Sequence, residues 1–225
     1  MRNSALALVL AVCPVAFAQH SSFVLADRDA NKLWRLTDLN DNGTIETSEA
    51  FVWYDGLNAV GTVGIENING IAFEGNLYGR MVGGDQVLRQ LYTWQDLNGD
   101  GDVQDVGESV VSGDVTNASA ASFAFPTGAG FDRGLAYVVN AGNGFGSDRL
   151  FKLVDLDADG RYQSAGEVID YLGVNVFGGN GPYSPQEIIL WPGAAGAGAS
   201  GVLRNSSAGL HGLFVFEDLI DDGDA

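Results

Sequence analysis

Asp96-Leu97-Asn98-Gly99-Asp100-Gly101-Asp102, followed by Asp105 and Glu108, places five carboxylates in 13 residues without a lysine or arginine among them. Crowded like charges destabilise a folded loop unless a cation sits between them. Oxygen donors with no histidine or cysteine select a hard ion, and Ca2+ suits them better than zinc or copper. In the spacing D-x-[DN]-x-[DN]-G, positions one, three and five supply side-chain oxygens. Glycine at six turns the chain, position seven lends its carbonyl, and a later Glu closes the shell.

Two other segments carry the same pattern. The first has Asp38, Asn40, Asn42, Gly43, the Thr44 carbonyl, Ile45 at the apolar position and Glu49 at position twelve. The third has Asp155, Asp157, Asp159, Arg161 at the position that gives only a carbonyl, and Glu167. The second segment contributes Asp96, Asn98, Asp100, Asp102 and Glu108; there and in the third, the closing acid stands one residue later than in the first. The second loop ranks ahead of the first, which matches the full twelve-residue pattern, and the first ahead of the third. A fourth, led by Asp218, is degraded because Ile220 replaces a ligand. The competing reading of all these residues is a set of metal-free Asx turns capping hairpins.

The loops sit in a repeat. Leu33-Trp34-Arg35-Leu36-Thr37-Asp38 returns as Leu91–Asp96, Leu150–Asp155 and Leu213–Asp218, with leading aspartates 58, 59 and 63 residues apart. The residues before each aspartate alternate with period two, the mark of a strand with one face buried. Further strands are expected at Ala50–Tyr54, Ser109–Val111 and Glu167–Leu172. The apolar runs Gly70–Phe73, Ser122–Phe125 and Glu187–Trp191 come next, then Asn76–Val82, Gly134–Asn140 and Gly201–Asn205. Four short antiparallel strands per unit of about 60 residues predict an all-β protein, a β-propeller of four-stranded blades, in preference to a β-sandwich. The expected repeats are 22–69, 70–121, 122–186 and a shortened 187–225. The first lacks its innermost strand and the last its outer strand, which points to an incomplete ring or a fragment of a larger one.

The loops resemble the calcium loops of EF-hand and dockerin proteins, although strands rather than helices flank them here. At the level of the blade, D-x-D-x-D-G loops between strands resemble integrin-type FG-GAP repeats. Gly70-Ile71-Ala72-Phe73 before Asn76-Leu77-Tyr78 looks like an NHL or gluconolactonase-type blade. Both propeller resemblances imply that calcium serves architecture.

Arg2, an apolar run from Ala5 to Val12 and the ending Ala16-Phe17-Ala18 read as a secretory signal peptide cleaved after Ala18, leaving a domain over 19–225 and an extracellular or periplasmic location. The run is too short to span a bilayer. With 29 Asp+Glu against 11 Lys+Arg, a net charge of -18 disfavours nucleic acid and anionic membranes as partners. Cys13 is the only cysteine, so the exported form has no disulfide, and bound metal becomes the natural staple. The function expected is a calcium-stabilised binding, adhesion or scaffold module for a protein or carbohydrate ligand. The alternative is a propeller enzyme, a lactonase-type hydrolase or a sugar dehydrogenase, with structural calcium. His20 and His211 are the only histidines, so catalytic material is thin; Glu66, Glu74 and Glu187 are the acids placed near inner strands.

Overall fold

The computed structural model describes residues 22–57, 64–75, 79–114, 123, 125–141, 148–173, 185–191, 198–205 and 212–218. The proposed signal peptide, His20, His211 and the fourth acid loop beyond Asp218 lie outside the described residues. The fold is all-β, in four antiparallel sheets that follow one another along the chain, none of them closed. Sheet one holds β1 (Ser22–Asp27), β2 (Lys32–Thr37) and β3 (Ala50–Asp55). Sheet two holds β4 (Ile68–Phe73), β5 (Met81–Asp85), β6 (Gln90–Trp94) and β7 (Ser109–Gly113). Sheet three holds β8 (Pro126–Asp132), β9 (Leu135–Asn140), β10 (Arg149–Leu153) and β11 (Val168–Leu172). Sheet four holds β12 (Pro185–Trp191), β13 (Ser200–Asn205) and β14 (Gly212–Glu217). Each is a meander, so every strand pairs with its neighbours in sequence. As expected, the first and last sheets have three described strands and the middle two have four.

Among the described residues the hydrophobic side chains form three cores, each walled by two consecutive sheets. Leu33 and Tyr54 of sheet one meet Met81, Tyr92 and Trp94 of sheet two. Val82 and Leu91, on the other face of sheet two, meet Val138, Phe151 and Leu153 of sheet three. Tyr137, Val139 and Leu150, on the far face of sheet three, meet Ile188, Leu203 and Phe216 of sheet four. Sheets two and three are therefore buried on both faces, and β9 reads Leu-Ala-Tyr-Val-Val-Asn rather than alternating apolar with polar residues.

Two β-bulges recur at fixed places. In the inner strands Asn69, Thr127 and Gln186 are each skipped by the register with the following strand. In the outer strands Trp53, Ser112 and Tyr171 are skipped in the same way. Bulges bend a strand and re-aim its neighbours, so their recurrence makes the sheets the same unit in geometry as well as in order.

The inner strand of the third unit departs from expectation. It is Pro126–Asp132, not Ser122–Phe125; Phe123 is fully buried but lies outside any strand. In this strand and in β4, glycine answers to close packing between backbones. A β-carbon on Gly70 would lie 2.5 Å from the Thr127 carbonyl oxygen, and one on Gly128 would lie 3.0 Å from that of Gln186. β8 is thus pressed between β4 and β12, with no room for a side chain at Gly70 or Gly128. Likewise β5 begins at Met81, and the expected strand residues Asn76–Tyr78 lie outside the described residues.

Candidate metal centres

Each acid loop joins the last two strands of its sheet: β2 to β3, β6 to β7, β10 to β11. The leading aspartate folds the loop around its own carboxylate. Asp38 accepts hydrogen bonds from the N–H groups of Asn42 (3.1 Å) and Gly43 (2.8 Å). Asp155 accepts them from Asp159 (3.2 Å) and Gly160 (2.9 Å), and Asp96 from Gly99 (2.6 Å) and Gly101 (2.9 Å). Gly43, Gly101 and Gly160 all have positive φ, the conformation in which glycine avoids the Cβ clash.

The closing glutamates converge despite their different spacing. Glu49, Glu108 and Glu167 are all buried, each immediately before an outer strand. One carboxylate oxygen accepts from the residue after the leading aspartate: Leu39 at 2.8 Å, Leu97 at 2.9 Å, Leu156 at 3.1 Å. The other accepts from the residue three places before the glutamate: Glu46 at 3.0 Å, Asp105 at 3.1 Å, Ser164 at 2.7 Å. The extra residue in loops two and three is absorbed without moving this clamp.

Glu46, Asp105 and Ser164 were not singled out as site residues, yet each side chain meets position three of its loop. Asn40 Nδ2 donates to Glu46 (3.1 Å), Asn98 Nδ2 donates to Asp105 (2.6 Å), and Ser164 Oγ donates to Asp157 (3.1 Å). Their common place three residues before the closing acid was the signal available. Hydrogen bonding with Glu49 first, then Asn42 and Asn40, holds the Glu46 carboxyl below its ordinary range.

Among the described residues, Asp155, Asp157 and Asp159 each bring a carboxylate oxygen within 4.8 Å of the other two. Three hard anionic donors converging in this way fit a calcium ion, and Glu167 lies in the same loop. Loops two and three share one contact, in which the acid at position five accepts from the N–H two residues on: Asp100 from Asp102 (3.1 Å) and Asp159 from Arg161 (2.8 Å). The amide of Asn98 stands where loop three has a third carboxylate. Loop one has two such amides, and Asn42 also accepts from the Thr44 N–H (2.7 Å). Thr44 and Arg161, the carbonyl positions, are exposed.

The loops also fasten the sheets together. The Val103 N–H of loop two donates to the bulged Trp53 carbonyl of sheet one (3.0 Å), and the Tyr162 N–H of loop three donates to the bulged Ser112 carbonyl of sheet two (2.6 Å). Val103 and Tyr162 are buried in the cores between those sheets. Burial pushes the Tyr162 hydroxyl up to about 12, with nearby Arg80 opposing the rise. Arg35 Nη1 adds a bond from sheet one to the Gly101 carbonyl (3.2 Å).

The acids outside the loops lie elsewhere in the stack. Glu74 pairs with Arg80 (3.3 Å) and Glu187 with Arg204 (3.2 Å), while the Glu66 N–H donates to Asp85 (2.7 Å). Among the described residues no helix is long and apolar enough to cross a membrane.

No family model and no curated protein matches the chain. A solved structure of a luciferin-regenerating enzyme is similar at 13% identity and a TM-score of 0.46, over 85% of this chain. The chain spans 46% of that protein's length.

Proposed function

We propose that the protein is an exported β-propeller-type binding module whose acid loops take up calcium to hold consecutive sheets in register. The observation that carries this reading is the approach of Asp155, Asp157 and Asp159 within 4.8 Å, in a loop whose hydrogen-bond clamp recurs in loops one and two. A bound ion would neutralise the carboxylates and stiffen the turn that carries Tyr162 into the core. Calcium would act as a staple between sheets, leaving loops at the sheet ends to recognise a protein or carbohydrate. Extracellular modules bind calcium with dissociation constants of about 10⁻⁴–10⁻³ M, which suits an exported protein.

The test is a thermal melt in about 5 mM calcium and in chelator, where each such site adds about 1–2 kcal/mol. The melting temperature should rise with calcium, and Asp155→Ala with Asp159→Ala should reduce the rise. An unchanged melting temperature would overturn the reading and leave the loops as solvated turns.

A further inference from the structure

Five asparagines of the chain are followed directly by glycine, and three of them, Asn42, Asn69 and Asn98, lie among the described residues. Glycine has no side chain to shield its backbone nitrogen, so that nitrogen can add to the asparagine carboxamide beside it. The addition bonds the glycine nitrogen to the asparagine Cγ in a five-membered succinimide. The Cγ–Nδ2 bond breaks, and Nδ2 leaves as ammonia with the proton that the glycine nitrogen gives up. Water then opens the ring at one of its two carbonyls, leaving aspartate or isoaspartate.

Asn42 and Asn98 stand in the same arrangement, although one holds position five of its loop and the other position three. Oδ1 of each accepts the N–H two residues on, from Thr44 at 2.7 Å and from Asp100 at 2.9 Å. That donor stabilises the negative charge the oxygen takes up as the nitrogen adds. The N–H of the glycine donates to the leading aspartate of the loop, Gly43 to Asp38 at 2.8 Å and Gly99 to Asp96 at 2.6 Å. A carboxylate there is placed to receive the proton as the new bond forms. Nδ2, the leaving nitrogen, donates to a second acid, Glu46 at 2.7 Å and Asp105 at 2.6 Å. Both asparagines are exposed. Gly43 and Gly99 turn the chain with φ of +78° and +77°, and a β-carbon on either would find nothing within 4 Å.

Asn69 is placed differently. It is half-buried in β4, and its Nδ2 donates to Gln86 Oε1 (2.7 Å). Gly70 is pressed against the backbone of β8, so the strand cannot bend to close a ring.

We propose that Asn42 and Asn98 are sites of covalent self-modification, converted through the succinimide to aspartate and isoaspartate in the folded protein, while its strand keeps Asn69 intact. The step consumes only water and depends on no bound ion. Where the ring at Asn98 opens to aspartate, loop two gains a carboxylate at position three. It then carries acids at positions one, three and five, as loop three does in Asp155, Asp157 and Asp159.

The test ages the full chain at mildly alkaline pH, folded and in urea, and maps its peptides by mass spectrometry, with heavy-oxygen water marking each opened ring. In ordinary water each converted site gains about 1 Da. In the folded chain Asn42 and Asn98 should convert at least about tenfold faster than Asn69, and urea should erase the difference. Gly43→Ala and Gly99→Ala should each slow conversion about tenfold at the asparagine before it and leave the other site unchanged. Asn42 and Asn98 left intact in the folded chain after the urea sample has converted, or Asn69 converting as fast as they do in the folded chain, would overturn the proposal.

Discussion

Tyr171 donates its hydroxyl hydrogen to Asp218 across 3.0 Å, tying the outer strand of sheet three to the leading aspartate of the fourth repeat. The three other leading aspartates accept N–H groups of their own loops. Burial first, and the bond to Asp218 second, push the Tyr171 hydroxyl well above the ordinary tyrosine range. Tyr171→Phe leaves a buried carboxylate short of a donor and should lower stability by about 1–3 kcal/mol in urea unfolding.

Gly70 and Gly43 are both glycines for reasons of shape, but the reasons differ. Gly70→Ala forces a β-carbon against the β8 backbone, which cannot yield, and should destabilise by about 1–3 kcal/mol or more. At Gly43 nothing lies within 4 Å of the added carbon, and only its φ of +78° opposes the change. Gly43→Ala should cost about 1 kcal/mol in the same denaturant titration.

Glu108 accepts N–H bonds from Leu97, Asn98 and Asp105 while buried. Glu108→Ala strips three backbone donors of their partner and should cost about 2–4 kcal/mol, measured by chemical unfolding in chelator. Glu108→Gln keeps one oxygen and should lose less. The effect should appear without calcium, since the clamp is made by the protein alone.

Asn98→Asp would give loop two a carboxylate where loop three has Asp157. In chelator it should destabilise, because the donation to Asp105 is lost and another negative charge is added. In calcium it should enlarge the rise in melting temperature, and Asp157→Asn in loop three should shrink it. Calorimetric melts of both variants with and without calcium check the pair.

Tyr162 supplies a pH signature. Its hydroxyl ionises near 10 when unfolded and at about 12 in the folded protein. The fold therefore favours the protonated form. That share of stability is whole below about pH 10 and declines as pH rises towards 12, because the unfolded chain loses its proton first. The urea midpoint should fall over this window, and less steeply in Tyr162→Phe.

Strand class, sheet order and loop position were legible because Leu-x-x-x-x-Asp and the acid spacing recur in the bare sequence. The three-stranded first and last sheets followed from counting those units. β8 was not legible: Gly128 and Gly130 break any apolar alternation, and their place is explained only when β12 is seen to press on both. The role of Val103 and Tyr162 was hidden as well, because a bond to the carbonyl of a preceding bulge depends on contacts between units and not on spacing within one.

Each core is shared by two sheets, and no sheet owns one. A single cut in the connection between β7 and β8 would sever the chain while leaving the Val82–Val138 core with both walls in place. The two pieces should therefore remain bound to one another after proteolysis and separate only in denaturant. Expressed apart, each would expose half of a core, and mixing them should restore it: the protein is suited to fragment complementation, with the seams already laid between its sheets.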